Sequence, residues 1–172
     1  AGCRHDAGFL RAAFAAHQGH SESGPAMTEL VNVVPNPSFE EVRDDKPLRW
    51  RVRDYSGSAV HSLDSPGHIG QHCLKIASDT GADASMFVEA PVEPGTEYRL
   101  SGWIKVQNLV RTSGLGALFN VHLMDVKTPA VSGTSDWQRV EVIFNTGDAT
   151  RVSINCLFGG WGHSRGTAWF DD

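Results

Sequence analysis

Hydrophobic and polar residues alternate along most of the chain after residue 27, in short runs separated by clusters of Gly, Pro, Asn, Asp and Ser. A period of two is typical of β-strands buried on one side, and the runs are rich in Val, Ile, Phe, Trp and Thr. The pattern predicts about ten strands, enough for an all-β sandwich of two antiparallel sheets. We place these strands at 30–34, 49–55, 59–63, 73–77, 85–90, 98–106, 116–125, 137–145, 151–158 and 167–172.

Four of the later strands separate clearly into an apolar side and a second side. The apolar sets of 98–106, 116–125, 137–145 and 151–158 leave polar and aromatic side chains opposite them. Because successive side chains of a strand point to opposite sides of a sheet, this second set is expected to face outward. We predict that one sheet carries it as a polar, aromatic outer face. The members of this face include Trp103, Asn120, His122, Trp137, Arg139, Glu141 and Asn155.

The first 27 residues follow another pattern. Apolar residues recur at helical spacing within 7–17, which predicts a short amphipathic helix, and a loop-like stretch follows. The sequence GPAM at 24–27 resembles a remnant of protease cleavage and cloning, with a native linker as the alternative. We therefore treat 1–27 as a tag or linker and 28–172 as one domain. The strand-like run at the end leads us to expect a piece of a longer protein.

Composition limits the classes of function. A chain of 172 residues with 40% hydrophobic and 20% charged residues is ordinary for a single soluble globular domain. No apolar run approaches the roughly 20 residues that cross a bilayer, so we expect no membrane partner. A formal net charge of −5 argues against binding to a phosphate backbone, so we expect no nucleic acid partner.

The three cysteines are too few and too scattered for a disulfide framework or a metal site. Cys73 and Cys156 could form one bridge. Alternatively, they are two small buried residues in separate strands, since free Cys packs as a hydrophobe.

The predicted outer face has the chemistry that a sugar ring requires. Pyranose rings have flat C–H patches that pack on Trp or Tyr, and their hydroxyls need hydrogen-bond donors and acceptors. Tyr55, and Trp161 in a glycine-rich turn, are further candidate platforms, whereas Trp50 and Trp169 are expected in the core. The alternative is an ordinary solvated face on which loops cover Trp103 and Trp137, with Trp161 packed over the rim.

An enzymatic function is not expected, and we assign no catalytic residue. The sequence GHSRG at 162–166 matches the nucleophile-elbow pattern of serine hydrolases. That motif requires a following helix and a later histidine, but only six residues follow Gly166 and none is His. The eight histidines show no metal-ligand spacing.

Several sequence segments, in order, carry a resemblance to a known family. They are VPNPSFE at 34–40, Trp50, GQHCLKI at 70–76, PGTEYRLSGW at 94–103, SDWQRV at 135–140 and AWFDD at 168–172. Together they resemble carbohydrate-binding modules of the family four, nine and twenty-two group. The resemblance covers about 28–172 and implies a galactose-binding-domain-like jelly roll.

The resemblance also implies a structural calcium ion. In such modules a carboxylate of the first-strand motif, backbone carbonyls and an Asp of the last strand hold the ion. The corresponding positions here are Glu40 and Asp171, with Asp172 or the carbonyl of Lys75 as further ligands. Oxygen ligands at both ends of the domain suit a hard cation.

The implied function is binding of a polysaccharide or oligosaccharide for an attached enzyme in a multidomain, exported protein. We expect a monomer in an extracellular setting. The alternative is a structural or adhesive β-sandwich that contacts other proteins and binds no glycan. A groove along the face would indicate binding within polysaccharide chains, whereas a pocket at the loop end would indicate binding at chain ends. The sequence leaves both open. It also leaves the identity of the polymer open.

Overall fold

The computed structural model describes residues 10–12 and 30–172, which form strands and turns without a helix. No helix in this described part is therefore long and apolar enough to span a bilayer. The strands are β1 Leu10–Ala12, β2 Val31–Asn32, β3 Val42–Arg43, β4 Lys46–Pro47, β5 Arg51–Gly57, β6 Val60–Asp64, β7 Cys73–Pro91, β8 Glu97–Arg111, β9 Gly116–Val121, β10 Val126–Lys127, β11 Gly133–Asn145, β12 Arg151–Gly159 and β13 Ser164–Asp171.

Two antiparallel sheets share the long strand β7. The first half of β7 pairs with β6 and β13, and β13 continues through β8 to β11. The second half of β7 pairs with β5 and β12, and β12 continues through β9 to β10. We call these layers sheet I and sheet II. The expected all-β sandwich is thus confirmed, with the small hairpin β3–β4 beside it.

The hydrophobic core lies between the two sheets. Leu100 and Ile104 of sheet I and Ile154 of sheet II are fully buried. Phe119 of sheet II meets Phe170 of sheet I edge to face, with ring centroids 5.6 Å apart. The alternation that the sequence shows in β8, β9, β11 and β12 therefore identifies the core side of each strand.

Strand β7 is longer than the sequence pattern predicts. The predicted strands 73–77 and 85–90 are parts of one strand of 19 residues. The stretch SDTGAD at 78–83 has the composition of a turn, which is why the pattern breaks there. Pairing with β13 up to Ala82 and with β5 from Ala82 onward carries the strand through this stretch.

The helix predicted over 7–17 is wrong at 10–12, where the chain forms β1. The pairs Leu10↔Leu100 and Ala12↔Tyr98 place it along β8, beyond the last residue that β13 pairs. Unpaired backbone groups at a strand edge accept another strand whatever its helical pattern. The remainder of the predicted helix lies outside the described residues.

The two tryptophans expected in the core, Trp50 and Trp169, lie on different sides of the sheets. Trp50 is buried in the inter-sheet core, where its Nε1 donates to the Asn36 carbonyl at 2.9 Å. Trp169 is also buried, but it packs on the outer side of sheet I, because its neighbours Ala168 and Phe170 take the core side. Its Nε1 donates to Asp64 Oδ2 at 2.8 Å.

The two described cysteines are free and buried. Cys73 begins β7 next to Asp64, while Cys156 lies in the core side of β12. Cys73 and Cys156 therefore form no bridge, and the alternative of two small buried residues in separate strands is correct.

Candidate functional site

The predicted site residues lie on two sheets rather than one. Trp103 pairs with Arg139 and Ser101 with Glu141 between β8 and β11, so these side chains belong to the outer face of sheet I, near Trp137. Asn120 pairs with Asn155 between β9 and β12 of sheet II. The prediction of a single face was wrong because alternation identifies the side of a strand but not the sheet to which the strand belongs.

A hydrogen-bonded group forms the floor of a cleft on sheet II. Asn155, which is fully buried, donates from Nδ2 to Asn120 Oδ1 at 3.0 Å and to the Tyr55 hydroxyl at 3.2 Å. The Tyr55 hydroxyl also lies 3.2 Å from His122 Nδ1. Four predicted site residues from β5, β9, β12 and the turn after β9 are thus brought together.

His122 lies just outside β9, since that strand ends at Val121 instead of 125. Leu123 has a φ of 64° and turns the chain. Burial, followed by the nearby charge of Arg53, holds the pKa of His122 below its ordinary value. The imidazole is therefore neutral near pH 7 and can both donate and accept a hydrogen bond.

One end of this cleft is a cavity of about 250 Å³ beside an exposed indole. Trp161 is 64% exposed and Tyr55 44% exposed, and both line the cavity. The remaining lining residues are Asp83, Asn120, His122, Leu123, Met124 and Leu157. The cavity therefore combines two aromatic surfaces with amide and imidazole groups.

The turn that presents Trp161 is held from below by Asp83. The Asp83 carboxylate accepts the N–H of Gly160 at 3.2 Å, and Trp161 itself has a φ of 54°. Burial raises the pKa of Asp83 above its ordinary value, although the backbone N–H groups of this turn oppose the rise. The structure thus answers the question about Trp161: its ring is exposed at the cleft and is not packed over the rim.

Arg53 and Phe87 extend the cleft beyond Asn155, and the sequence argument missed both. The Arg53 guanidinium lies 3.7 Å from the centroid of the Phe87 ring. Its Nη1 donates to Asn155 Oδ1 at 3.3 Å and to Ser153 Oγ at 3.4 Å. The available signal was alternation in β5, where Arg51, Arg53 and Tyr55 are two residues apart.

On the outer face of sheet I, the protein's own side chains cover the aromatic rings. His68 stacks on Trp103 at a centroid distance of 4.0 Å and meets Trp137 edge-on at 5.6 Å. The Lys105 ammonium lies 5.3 Å from the Trp137 ring. Arg139 and Glu141 pair at 2.7 Å. This face therefore offers less free aromatic surface than the cleft.

The predicted calcium ligands surround the loop before β7. The Asp171 Oδ2 accepts the N–H groups of His68 at 2.7 Å and Ile69 at 3.2 Å. Asp172 accepts from Ser38 Oγ at 2.7 Å and lies 2.8 Å from His68 Nδ1. The Glu40 Oε1 accepts the N–H groups of Gln71 and His72, both at 2.9 Å.

The donor set is compatible with a cation at Asp171 and Asp172. Both carboxylates are buried, and burial together with the Asp172 charge raises the pKa of Asp171 to about 8. Adjacent buried negative charges are costly without a compensating cation. Within 30–172, however, no three His, Cys, Asp or Glu side chains cluster as metal ligands, so further ligands would be backbone oxygens. Lys75, whose carbonyl was predicted as a ligand, lies within β7 between its pairing partners Ser62 and Trp169.

The GHSRG motif has no hydrolase context in this fold. Strand β13 begins at Ser164, so a strand follows the motif where a nucleophile elbow requires a helix. His163 Nε2 lies 2.8 Å from Ser56 Oγ.

Comparison with solved structures supports the same fold. A CBM61 module solved with β-1,4-galactotriose is 18% identical, with a TM-score of 0.55 over 83% of this chain and 95% of that one. A CBM22 xylan-binding domain from Paenibacillus barcinonensis is 16% identical, with a TM-score of 0.56 over 79% and 94%. A CBM4 structure is 20% identical, with a TM-score of 0.53 over 81% and 96%. At these identities the similarity shows the fold alone.

A search of curated protein sequences finds no match. The sequence profile described as "Carbohydrate binding domain" matches residues 31–156, which include Tyr55, Asn120, His122 and Asn155 of the cleft floor but not Trp161. That match covers more than half of the chain and agrees with the resemblance seen in the sequence motifs. The chain therefore belongs to this family of carbohydrate-binding domains.

Proposed function

We propose that this domain is a non-catalytic module that binds polysaccharide in the cleft of sheet II and brings an attached enzyme to it. The observation that carries the proposal is the cavity between exposed Trp161 and Tyr55, with Asn120 and His122 in its lining. An aromatic surface packs on the C–H patches of a sugar ring, while amide and imidazole groups bond its hydroxyls.

The cleft is already organised before a ligand binds. Asn155 holds Tyr55 and Asn120 in place, and Asp83 holds the turn that carries Trp161. Fixed side chains lose little conformational entropy on binding, so more of the contact energy contributes to affinity. One module of similar fold was solved in complex with β-1,4-galactotriose and another is a xylan-binding domain, which supports an oligosaccharide or polysaccharide as ligand.

We also propose a structural calcium ion at Asp171 and Asp172. Its further ligands would be backbone oxygens, and Glu40 would act indirectly, by bonding the other end of the loop 67–72 that Asp171 bonds at its start. The ion would supply the positive charge that the buried pair lacks, and its role would be structural. Since polysaccharides of this kind lie outside cells, we propose that the parent protein is exported and that the module acts as a monomer within it.

A pair of tryptophan variants tests the binding site. We expect Trp161→Ala to weaken binding to the best-bound soluble polysaccharide of a plant and algal panel at least tenfold, about 1.4 kcal/mol, because it removes both the stacking surface and the apolar area of the indole. Trp103→Ala, on the other sheet, should bind like the wild type. Calorimetry with calcium present measures both affinities.

The outcomes separate the possible functions. Loss of binding in Trp103→Ala but not in Trp161→Ala would move the site to sheet I. Absence of binding to every polymer by the folded wild type would contradict the proposal and favour a structural or adhesive sandwich.

A further inference from the structure

The cleft of sheet II has a cationic end, although the protein as a whole is acidic. We propose that the cleft binds an anionic polysaccharide, with a carboxylate or sulfate group of a sugar held by Arg53 and with Arg51 and Arg151 beside it. This inference deepens the proposed function and rests on it. It concerns the class of polymer, which neither the fold nor the family fixes.

Neighbouring residues hold the Arg53 guanidinium in position but leave its hydrogen-bonding capacity and its charge only partly satisfied. The Phe87 ring supports the flat side of its guanidinium at 3.7 Å, and its bonds to Ser153 and Asn155 are long, at 3.3 to 3.4 Å. Both acceptors are neutral. Among residues 30–172, no carboxylate lies within ion-pairing distance of Arg53. Its charge is therefore available to an external anion.

Two further arginines share a single carboxylate next to Arg53. Arg51 Nη2 lies 3.9 Å from Glu89, and Arg151 Nη1 lies 3.1 Å from it. Their side chains are 66% and 69% exposed. Three guanidinium groups and one carboxylate give this surface a net charge of +2, on a chain whose formal net charge is −5. Such a local excess attracts anionic ligands.

The cationic end is continuous with the aromatic end. Asn155 bonds both Arg53 and Tyr55, and Tyr55 lines the cavity at Trp161. At the opposite side, Arg51, Glu89 and Arg151 line an open depression of about 640 Å³, together with Arg49. A chain lying on Trp161 and Tyr55 therefore extends over Arg53 toward these arginines.

The geometry of the groups suits an anion on a sugar ring. A planar guanidinium presents paired N–H donors that match the two oxygens of a carboxylate or sulfate. Because Phe87 already orients Arg53, binding costs little side-chain entropy. The Asp83 carboxylate, which lines the cavity at the aromatic end, is buried and already bonds the N–H of Gly160. The Lys127 ammonium lies 5.7 Å from the Trp161 ring, but the Asp125 carboxylate 3.7 Å away offsets its charge, so the positive excess lies at the arginine end.

Matched polymers test the inference. Binding is measured by calorimetry at low ionic strength with polygalacturonate and its fully methyl-esterified form, and with a sulfated galactan and its desulfated form. We expect the charged member of one pair to bind at least about tenfold more tightly than its neutral counterpart, with the preference decreasing as salt is added. The pair that shows the preference identifies the anion as a uronate or a sulfate ester.

Single Arg→Gln variants, each removing one positive charge, test which arginines cause the preference for the charged polymer. Arg53→Gln should remove the preference, and the exposed Arg51→Gln should reduce it without a risk to folding. Arg99→Gln removes the same charge from the outer face of sheet I, where Arg99 lies 3.7 Å from Glu141, and should leave the preference unchanged.

Three results would overturn the inference, and they differ from failure of the proposed function. Equal binding to both members of each pair, with Trp161→Ala still weakening it, would leave the glycan site in place and contradict the anionic ligand. A preference that survives in both Arg53→Gln and Arg51→Gln would contradict the assignment to these residues. Absence of binding to charged and neutral polymers alike would overturn the proposed function as well.

Discussion

At the scale of single residues, neighbours decide what each candidate side chain can do. Trp103 and Trp161 are the same residue type, and each follows a glycine in sequence. His68 covers the Trp103 ring at 4.0 Å, whereas the Trp161 ring is 64% exposed in a turn held by Asp83. His68 is 35 positions before Trp103, so no local pattern could have paired the two rings.

Asn155 is predicted to be the most sensitive polar residue of the cleft floor. Asn155→Ala removes the amide group that donates to both Asn120 Oδ1 and the Tyr55 hydroxyl at a fully buried position. We therefore expect a loss of about 1–3 kcal/mol in the free energy of unfolding. Urea denaturation measures the change. Ser153→Ala, which loses only long bonds to Arg53, should cost less than about 1 kcal/mol. Similar losses in the two variants would contradict this role.

The pKa of His122 reports on its surroundings. Burial and the charge of Arg53 hold it below the ordinary value of 6.5. Since the folded state binds this proton less tightly than the unfolded chain, the His122 contribution to stability is present above pH 6.5 and is lost as the pH falls through the lowered pKa.

Arg53→Gln should raise the pKa of His122 only part of the way, because burial is the larger cause. An NMR titration of the imidazole C–H resonances follows the change, with Arg99→Gln as the control. An unchanged His122 titration in Arg53→Gln would show that the two groups do not interact.

At the scale of elements, the sequence predicts strands well and their partners poorly. Alternation identifies the core sides of β8 and β12, because burial of every second residue is a local property. The joining of β7 into one strand, the strand at Leu10–Ala12 and the assignment of strands to sheets depend on distant pairing. The candidate site follows the same division: Asn120, His122 and Asn155 were predicted, but Arg53 and the gathering of these residues around Asn155 were not.

Strand β12 ends at a glycine that packs against β7. A Cβ at Gly159 would lie 2.4 Å from the Ala82 carbonyl oxygen, and its φ is 99°. Gly133 has a φ of 80° but no atom within 4 Å of such a Cβ. Both alanine variants carry backbone strain of about 1–2 kcal/mol, and only Gly159→Ala adds a collision with backbone.

We therefore expect Gly159→Ala to lose on the order of 2 kcal/mol more stability than Gly133→Ala, as measured by chemical denaturation. Because the same turn carries Trp161, glycan affinity should fall in Gly159→Ala and stay constant in Gly133→Ala. Equal losses of stability would mean that the strand end relaxes without cost.

At the scale of the whole molecule, Asp172 ties the end of the last strand to two early segments. It accepts from Ser38 and contacts His68, which are 134 and 104 positions earlier in the chain. The buried carboxylates of Asp171 and Asp172 lie side by side there. Closure of the domain thus depends on a cluster whose negative charge the proposed calcium ion would balance.

Removal of calcium is expected to lower the thermal stability. At a hundredfold excess over its Kd, a ligand stabilises the folded state by about 2.7 kcal/mol, which corresponds to about 5–10 °C in Tm for a domain of this size. Calorimetric melts with calcium and with a chelator measure the shift. Asp172→Asn should abolish it, and Asp148→Asn, at an exposed turn, should retain it. An identical Tm with and without the ion would contradict the proposed site.

Strand β7 has a mechanical consequence. A polymer held on sheet II would exert force on strands β5 and β12, both of which are bonded to the second half of β7. The first half of β7 is hydrogen-bonded on both sides within sheet I. Tension on the bound chain is therefore transmitted to the opposite layer through covalent backbone, and the two layers resist separation as one body, without relying on the contacts between their apolar faces alone.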